Sequence, residues 1–463
     1  MSIIKSSNNS FNNSVPLVIV GGGACGLTAA LSAREQGIDV VVIEKDITPH
    51  GTISMSQGTV CAAGTKAQKM LGIDDSPEKF YLDVIKKVKG KTDKDLVRLI
   101  TNEAAPMIDW LTDSYNIPFA VDTSWKGLGH SVQRLHAPPL KTGEDLLGRL
   151  LQAIENAGVT LITGANVTNL YADDDGKIKG VKIERPDGNT EKIGLGALVL
   201  ATCGFANNKK MIEEFIPSMT NSRVFTWENN TGDGINWGME LGGEVADMSS
   251  FQGYGALAFP HQLLFNYNYI IDGGFMVNKL AKRFSDEVAD VSGQGLKVME
   301  QQDEVAFIIY DEELHSKYRY LNESKKAIEV GAVYQAKTLS NLSEKFDLPI
   351  SNLEQTLFEV QECKKGIKQD TWGRDFRGSH QLKPPYYGIK VTGAIYHTQG
   401  GLVVNNKAQV KRKKGGFFPN LFAGGGAARG MSGPTCSGYM PAAGLCMAMT
   451  LGRIAGINAP KVL

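Results

Sequence analysis

The 463-residue chain has no excess of either charge, 49 Lys and Arg against 49 Asp and Glu, so it lacks the electrostatic footprint of a nucleic-acid binder. It also lacks paired cysteines. Cys25, Cys61, Cys203, Cys363, Cys436 and Cys446 are scattered with no CxxC spacing, which argues against a zinc site, a dithiol motif and a disulfide framework, and for the cytoplasm. Nor does His50, His130, His261, His315 or His380 stand at metal-ligand spacing, so no metal is expected. The N-terminus has neither the basic start nor the apolar core of a secretory signal; residues 1–14 are polar, rich in Asn and Ser, and read as a disordered leader.

What is present is a globular balance, 42% hydrophobic and 21% charged, over a length that suits two or three domains. Glycine stands out, with 52 residues in 463, or about 11% against a usual share of roughly 7%. A backbone must come close to something. The uncharged stretch from Val15 to Ala33 is long enough to suggest a membrane span, but its texture excludes one. Leu17 to Val20 is β-rich, three glycines follow, and Leu27, Ala29, Ala30 and Ala33 then precede charged residues, which reads as strand, turn and helix.

Gly21, Gly23 and Gly26 form GxGxxG directly after the strand, the helix from about Ala24 stops at Gly37, and a second strand spans Val40 to Ile43. Glu44 follows it, where a βαβ dinucleotide fold needs an acceptor for a ribose hydroxyl. Such glycines let main chain approach a pyrophosphate, whose charge meets free N–H groups and the positive helix end. This segment alone leaves NAD and FAD open. Further strands are expected at Leu161 to Val167, ahead of a turn at Asp173 to Gly176, and at Ala197 to Ala201, while Leu421 to Gly426 again reads as a strand meeting glycines. No second βαβ unit with a ribose acid follows. The basic run Lys411 to Lys414 reads as a solvated turn.

GGGACGLTAALSAREQGIDVVVIEK, GTISMSQGTVCAAGT, LVLATCGFANN, NTGDGINWG, GGFMVNKLAKRFSDE, HTQGGLVV, NLFAGGG and LGRIAG occur in the order found in flavoproteins of the fumarate reductase and succinate dehydrogenase superfamily, which the chain resembles from about Pro16 to Gly456. The resemblance implies an α/β fold with a Rossmann-like FAD-binding domain of the GR2 type, residues 15–248 and 399–463, and an inserted α+β capping domain, residues 249–398. It implies FAD held by Gly21, Gly23, Ala24, Cys25, Gly26, Glu44, Lys45, Thr52, Ser56, Gln57, Gly58, Val167, Ala201, Thr202, Asp233, Gly426, Ala442 and Leu445, where cap and FAD domain meet. Members with covalent flavin carry His where this chain has Thr52, so non-covalent FAD is expected.

The resemblance breaks at the dicarboxylate site. Fumarate reductases carry a histidine in a His-Pro-Thr context where this chain has Phe251 to Gly255, a Glu and an Arg where it has Tyr267 and Ile270, a proton-delivering Arg at Val291, and a substrate-binding Arg at Tyr439. Only His397 keeps the family identity. Without the bidentate guanidinium forks that grip carboxylates, a pocket of Tyr254, Tyr267, Tyr269, Tyr387, Tyr439, Ile270 and Val291 suits a neutral ring carbonyl. That resembles the 3-ketosteroid dehydrogenase and cyclic ketone desaturase branch, in which a C-terminal tyrosine and a backbone N–H four residues on hold the carbonyl. Tyr439 and Ala443 match that spacing, but Val291 stands where Δ1-forming members have a tyrosine base.

Dehydrogenation α,β to a ketone needs a base for the α proton, donors for the enolate oxygen, and a flavin to take the hydride. A helix from Pro441 to Met449 is expected to aim its N–H groups at the flavin. Tyr439 and Ala443 are the expected oxyanion donors and His397 the base, because a free tyrosine is only about a thousandth ionised at pH 7. Tyr254 or Tyr267 could relay the proton, or merely pack with the hydroxyl on main chain. Arg134 and His136 could bind a carboxylate, or their loop could simply lead into a helix capped by Thr142. Cys25 is small and structural unless the helix end lowers its pKa. The expected partner is a small cyclic ketone, with an external electron acceptor of unspecified chemistry. Reduction of an unsaturated carboxylic acid through Arg134 or Arg429, and a non-catalytic flavin electron carrier, are the alternatives.

Overall fold

Leu17, Val18, Ile19 and Val20 are buried, as are Val40 to Ile43, and strands with no polar face belong inside a parallel sheet covered on both sides. The computed structural model, which describes residues 2–5, 11 and 13–463, puts them there. The parallel order is Thr160–Ile162, Val40–Ile43, Asn13–Val20, Thr190–Leu200, Phe417–Ala423, with Val18 beside Val41 and Leu198 beside Leu421. The helix Ala24–Arg34 joins the strands Asn13–Val20 and Val40–Ile43, and Gly37, at φ +75°, turns the chain back after it. The stretch Val15 to Ala33 is thus strand, turn and helix, and among the described residues no helix is long and apolar enough to cross a membrane.

An antiparallel meander, Asn166–Ala172, Ile178–Glu184 and Thr190–Leu200, extends the same sheet. The stretch Leu161 to Val167, expected as one strand, is split between Thr160–Ile162 and Asn166–Ala172, because Gly164 takes φ +58° and donates to the Asp46 carbonyl instead of a ladder partner. The expected disordered leader needs correction as well. Ser2–Lys5 is a strand parallel to Asn169–Ala172, held by Asn169 Nδ2 on the Ser2 carbonyl at 3.1 Å and by the Ile3 amide on Glu240 at 2.9 Å. Residues 1, 6–10 and 12 of that leader lie outside the described residues.

These strands belong to a first unit, Met1–Ile216, Thr226–Phe251 and His397–Leu463. Its two chain ends meet where the helix Ala24–Arg34 packs on Ala443–Asn458. A Cβ on Gly456 would lie 2.2 Å from the Ala29 carbonyl oxygen, so only glycine allows so close a crossing. The helix Gly143–Asn156 starts at Thr142, whose hydroxyl accepts the Asp145 amide at 3.2 Å, as expected for its loop.

The second unit, Pro217–Phe225 and Gln252–Tyr396, is built on a seven-stranded sheet whose central strand, Tyr386–Thr398, pairs with Val305–Asp311, Val333–Ala336 and Arg223–Val224. The Arg223–Val224 pairing, in register with Ala394 and Ile395, is what draws Pro217–Phe225 into this unit.

Candidate active site

The first glycines form a cradle with an open mouth. Gly21 takes φ +110°, and a Cβ there would lie 2.3 Å from the Ala201 carbonyl oxygen; one on Gly26 would lie 1.9 Å from that of Gly21. A Cβ on Gly23 would meet nothing within 4 Å, so the N-terminus of Ala24–Arg34 faces open space. The N-cap is Gly23, no side chain caps it and no acid sits in the first turn, which leaves the first N–H groups for an anion. Cys25 in that turn is buried, and desolvation pushes its thiol up to about 12, which makes it structural rather than reactive. Glu44 accepts the Gly22 amide at 2.6 Å and the Asp46 amide at 2.9 Å, at the end of the Val40–Ile43 strand. Burial raises its carboxyl above the ordinary value despite these two bonds. Lys45 follows in sequence.

The other residues expected at the cofactor belong to the same unit. Thr52 Oγ1 is 3.4 Å from Cys203 Sγ, Ser56 donates to the Ile53 carbonyl and accepts the Gly58 amide, and Gln57 is exposed. Ala201 closes the strand on the Val20 carbonyl, and Thr202 Oγ1 accepts the Gly234 amide at 3.1 Å. Asp233 accepts the Thr231 hydroxyl, Val167 is buried in the meander, and Gly426 packs against Gly204, whose amide nitrogen a Cβ there would meet at 2.6 Å. Asp46 escaped the sequence reading. It accepts Trp227 Nε1 at 2.6 Å and Asn229 Nδ2, and His50 stacks on Trp227 with centroids 5.0 Å apart. No local motif marks these partners, which lie some 180 residues apart in the chain. An open glycine turn at a helix N-terminus, followed by an acid at the next strand end, fits a dinucleotide such as FAD.

Tyr439 and His397 come together in this unit, their rings edge to face with centroids 5.5 Å apart. The helix expected from Pro441 begins at Ala443, after Ala442 takes a left-handed φ of +67°. Leu445 lies in its first turn. That shift changes the amide at the tyrosine. Ala443 N–H is spent on the Met440 carbonyl at 3.1 Å, and the Gly444 amide is the one beside the Tyr439 hydroxyl, where it works against the effect of burial on the phenol. The expected Ala443 donor is therefore unavailable, because the turn before the helix uses its amide. Burial raises the Tyr439 pKa, so the group is a neutral phenol whose O–H is available to donate. A Cβ on Gly444 would lie 3.1 Å from both Cε1 and Nε2 of His397 and 3.7 Å from Tyr439 Oη, so glycine here keeps the space between them clear.

His397 is where the sequence reading placed it, yet its surroundings oppose a role as base. Burial pushes the imidazole down to about 4, and Gln399 Nε2 stands 2.7 Å from its Nδ1. Gln399 was overlooked; in extended backbone residues two apart share a face, so HTQGG carried the signal.

The other residues expected to wall the pocket, Tyr254, Tyr267, Tyr269, Ile270, Val291 and Tyr387, belong to the second unit. Tyr254 donates to the Phe265 carbonyl at 2.5 Å and Tyr267 to the Glu287 carbonyl at 2.8 Å, and burial raises both pKa values. Both hydroxyls donate to main chain, which is the packing arrangement weighed against a relay for these two residues. Tyr269, Ile270 and Tyr387 belong to the core of the second unit, Val291 packs against that core, and the Tyr387 hydroxyl is bound by Glu312. The arginines are committed too. Arg134 is fully buried, clamped by Asp75 at 2.9 Å and Asp83 at 2.7 Å, while His136 bridges the Arg134 carbonyl and Thr65 Oγ1. Arg429 pairs with Asp93 and Asp247. Arg283 and Arg374 share the buried Glu287.

Cradle, acid and helix end define a dinucleotide-binding protein. The chain matches the FAD binding domain family model over residues 17–446, and it belongs to that family. It is an FAD-dependent oxidoreductase acting on CH–CH bonds. A probable fumarate reductase of Shewanella frigidimarina is 27% identical over 452 residues, covering 96% of this chain and 74% of the relative. A urocanate reductase of Eggerthella lenta is 28% identical, with the same coverages of 96% and 74%. Among solved structures, the open conformation of a flavocytochrome c3 fumarate reductase superposes with TM-score 0.82 at 26% identity, over 98% of this chain and 79% of that one. A 3-ketosteroid Δ4-(5α)-dehydrogenase of Rhodococcus jostii shares the fold at TM-score 0.82 and 22% identity, over 99% of this chain and 100% of that one.

Proposed function

We propose that the enzyme transfers hydrogen across a carbon–carbon bond conjugated with a neutral carbonyl, the substrate class being cyclic ketones such as 3-ketosteroids or cyclohexanones and their enones. FAD, when bound, supplies the two-electron acceptor or donor for that bond. The observation that carries the reading is Tyr439. Burial keeps its hydroxyl a neutral phenol, with the Gly444 amide beside it, so it would polarise a carbonyl and stabilise the oxygen charge that develops when the α carbon loses or gains a proton. Neither Arg134 nor Arg429 can meet a substrate carboxylate without leaving two aspartates behind, which supports a neutral ligand over a dianion.

The reductase relatives named for fumarate and urocanate favour a second reading, reduction of an unsaturated carboxylic acid. One experiment separates the two. The FAD-loaded enzyme, reduced anaerobically, is mixed with 2-cyclohexenone, a 3-keto-4-ene steroid, fumarate or urocanate while flavin absorbance is followed. Reoxidation by the enones alone is the expected result, and reoxidation by the acids alone overturns it.

A further inference from the structure

Gln399 is fixed from three sides. Its amide donates to the Ser250 carbonyl and its carbonyl accepts the Gly430 amide, each at 2.8 Å, while the buried Ser432 hydroxyl donates to Oε1 at 3.0 Å. With its side-chain oxygen engaged there, the NH2 end meets His397 Nδ1 at 2.7 Å. Among the described residues, the other polar neighbour of that nitrogen is the Thr398 carbonyl, 3.5 Å away and at the limit of a hydrogen bond.

A neutral imidazole holds one proton, and a ring nitrogen that accepts a hydrogen bond cannot carry it. We propose that Gln399 is a positioning residue that fixes the His397 tautomer, holding the proton on Nε2 so that the imidazole stands beside Tyr439 as a second hydrogen-bond donor and not as a base. The inference rests on the ketone reading only for the identity of the acceptor. Nε2 and Cε1 are the ring atoms that border the space over Gly444, each 3.1 Å from where a Cβ would lie, and Tyr439 Oη borders it too, so both donors address one small volume. The neighbours Gly425, Gly426, Ala428, Gly430 and Met447 carry no charge. The titratable groups on this side are Tyr439 and, behind it, Cys61 and Cys446. None offers a carboxylate that would draw a proton onto the ring.

The test is long-range 1H–15N NMR on FAD-loaded enzyme labelled with 15N-histidine, with the His397 signals identified by their loss in His397→Asn. The expected result is a bare Nδ1, a protonated Nε2, and no titration between about pH 5.5 and 8. A proton on Nδ1, or a titration near 6.5, the ordinary histidine value, overturns the proposal. In Gln399→Glu the carboxylate should pull the proton to Nδ1 and bring the titration into that range. The same change should raise KM for 2-cyclohexenone about tenfold, the loss expected for one hydrogen bond. An unmoved tautomer in that variant likewise overturns it. Should Gln399→Glu lose its flavin, the wild-type spectrum decides alone. Because the NMR readout needs no substrate, failure of enones to react sinks the ketone reading and leaves the tautomer assignment standing.

Discussion

At the scale of single residues, the chemistry turns on one phenol. Tyr439→Phe deletes the O–H and keeps the ring against His397, so the flavin spectrum should be unchanged while kcat/KM for an enone falls about 10²–10³-fold, the range for removing one oxyanion donor. Stopped-flow flavin reoxidation checks it, and a full rate in the variant would remove Tyr439 from the mechanism. Tyr439 was legible because its spacing to the last helix is local. The identity of the amide was not, since Ala442 turns left-handed and delays the helix by two residues, which no propensity announces. Tyr254 and Tyr267 show the opposite limit. Sequence places a hydroxyl in a segment, but its acceptor, here the carbonyls of Phe265 and Glu287, is chosen by tertiary packing. Arg134 likewise reads as a free cation until Asp75 and Asp83, over fifty residues upstream, close on it.

Among the elements, the parallel strands were the most readable. Continuous apolar runs such as Leu17 to Val20 and Val40 to Ile43 leave no alternative to burial on both faces. Helix crossings leave a fainter mark. Gly452 and Gly456 occur in the sequence as LGRIAG, and their purpose emerges only where a Cβ would lie 2.3 and 2.2 Å from the carbonyl oxygens of Cys25 and Ala29. Gly456→Val must push the two helices apart. It should lower stability by about 1–3 kcal/mol, the usual cost of overpacking, and weaken flavin retention, because Ala24–Arg34 presents the anion-binding helix end. Urea denaturation followed by flavin fluorescence measures both, and an unshifted midpoint would mean that the helices do not touch there.

For the molecule as a whole, three buried histidines set an acid limit. Burial pushes His130, His136 and His397 down to about 4, and an unfolded histidine titrates near 6.5. Between these values the unfolded chain binds more protons, so the stability they confer is complete above about pH 6.5 and is lost as pH falls towards 4. Each contributes a slope of about 1.4 kcal/mol per pH unit in that window. Urea midpoints from pH 7 to 4.5 should therefore fall, and His136→Gln should remove one proton from the slope; an equal slope in the variant would show that His136 is not buried neutral. The cofactor gives the other whole-molecule expectation. With Thr52 at the position of a covalent histidyl link, acid precipitation should leave the FAD in the supernatant, and flavin remaining with the pellet would contradict it.

The parallel sheet also dictates an order of events during synthesis. Its fifth strand, Phe417–Ala423, and the helix that seals the glycine turn from behind, Ala443–Asn458, leave the ribosome long after the glycine motif itself. The glycine motif that begins at residue 21 therefore emerges hundreds of residues before the structure that completes it. A nascent chain has no completed cradle for a flavin until these segments have emerged, so cofactor capture should follow their synthesis, and a ribosome stalled before Phe417 should carry a colourless protein.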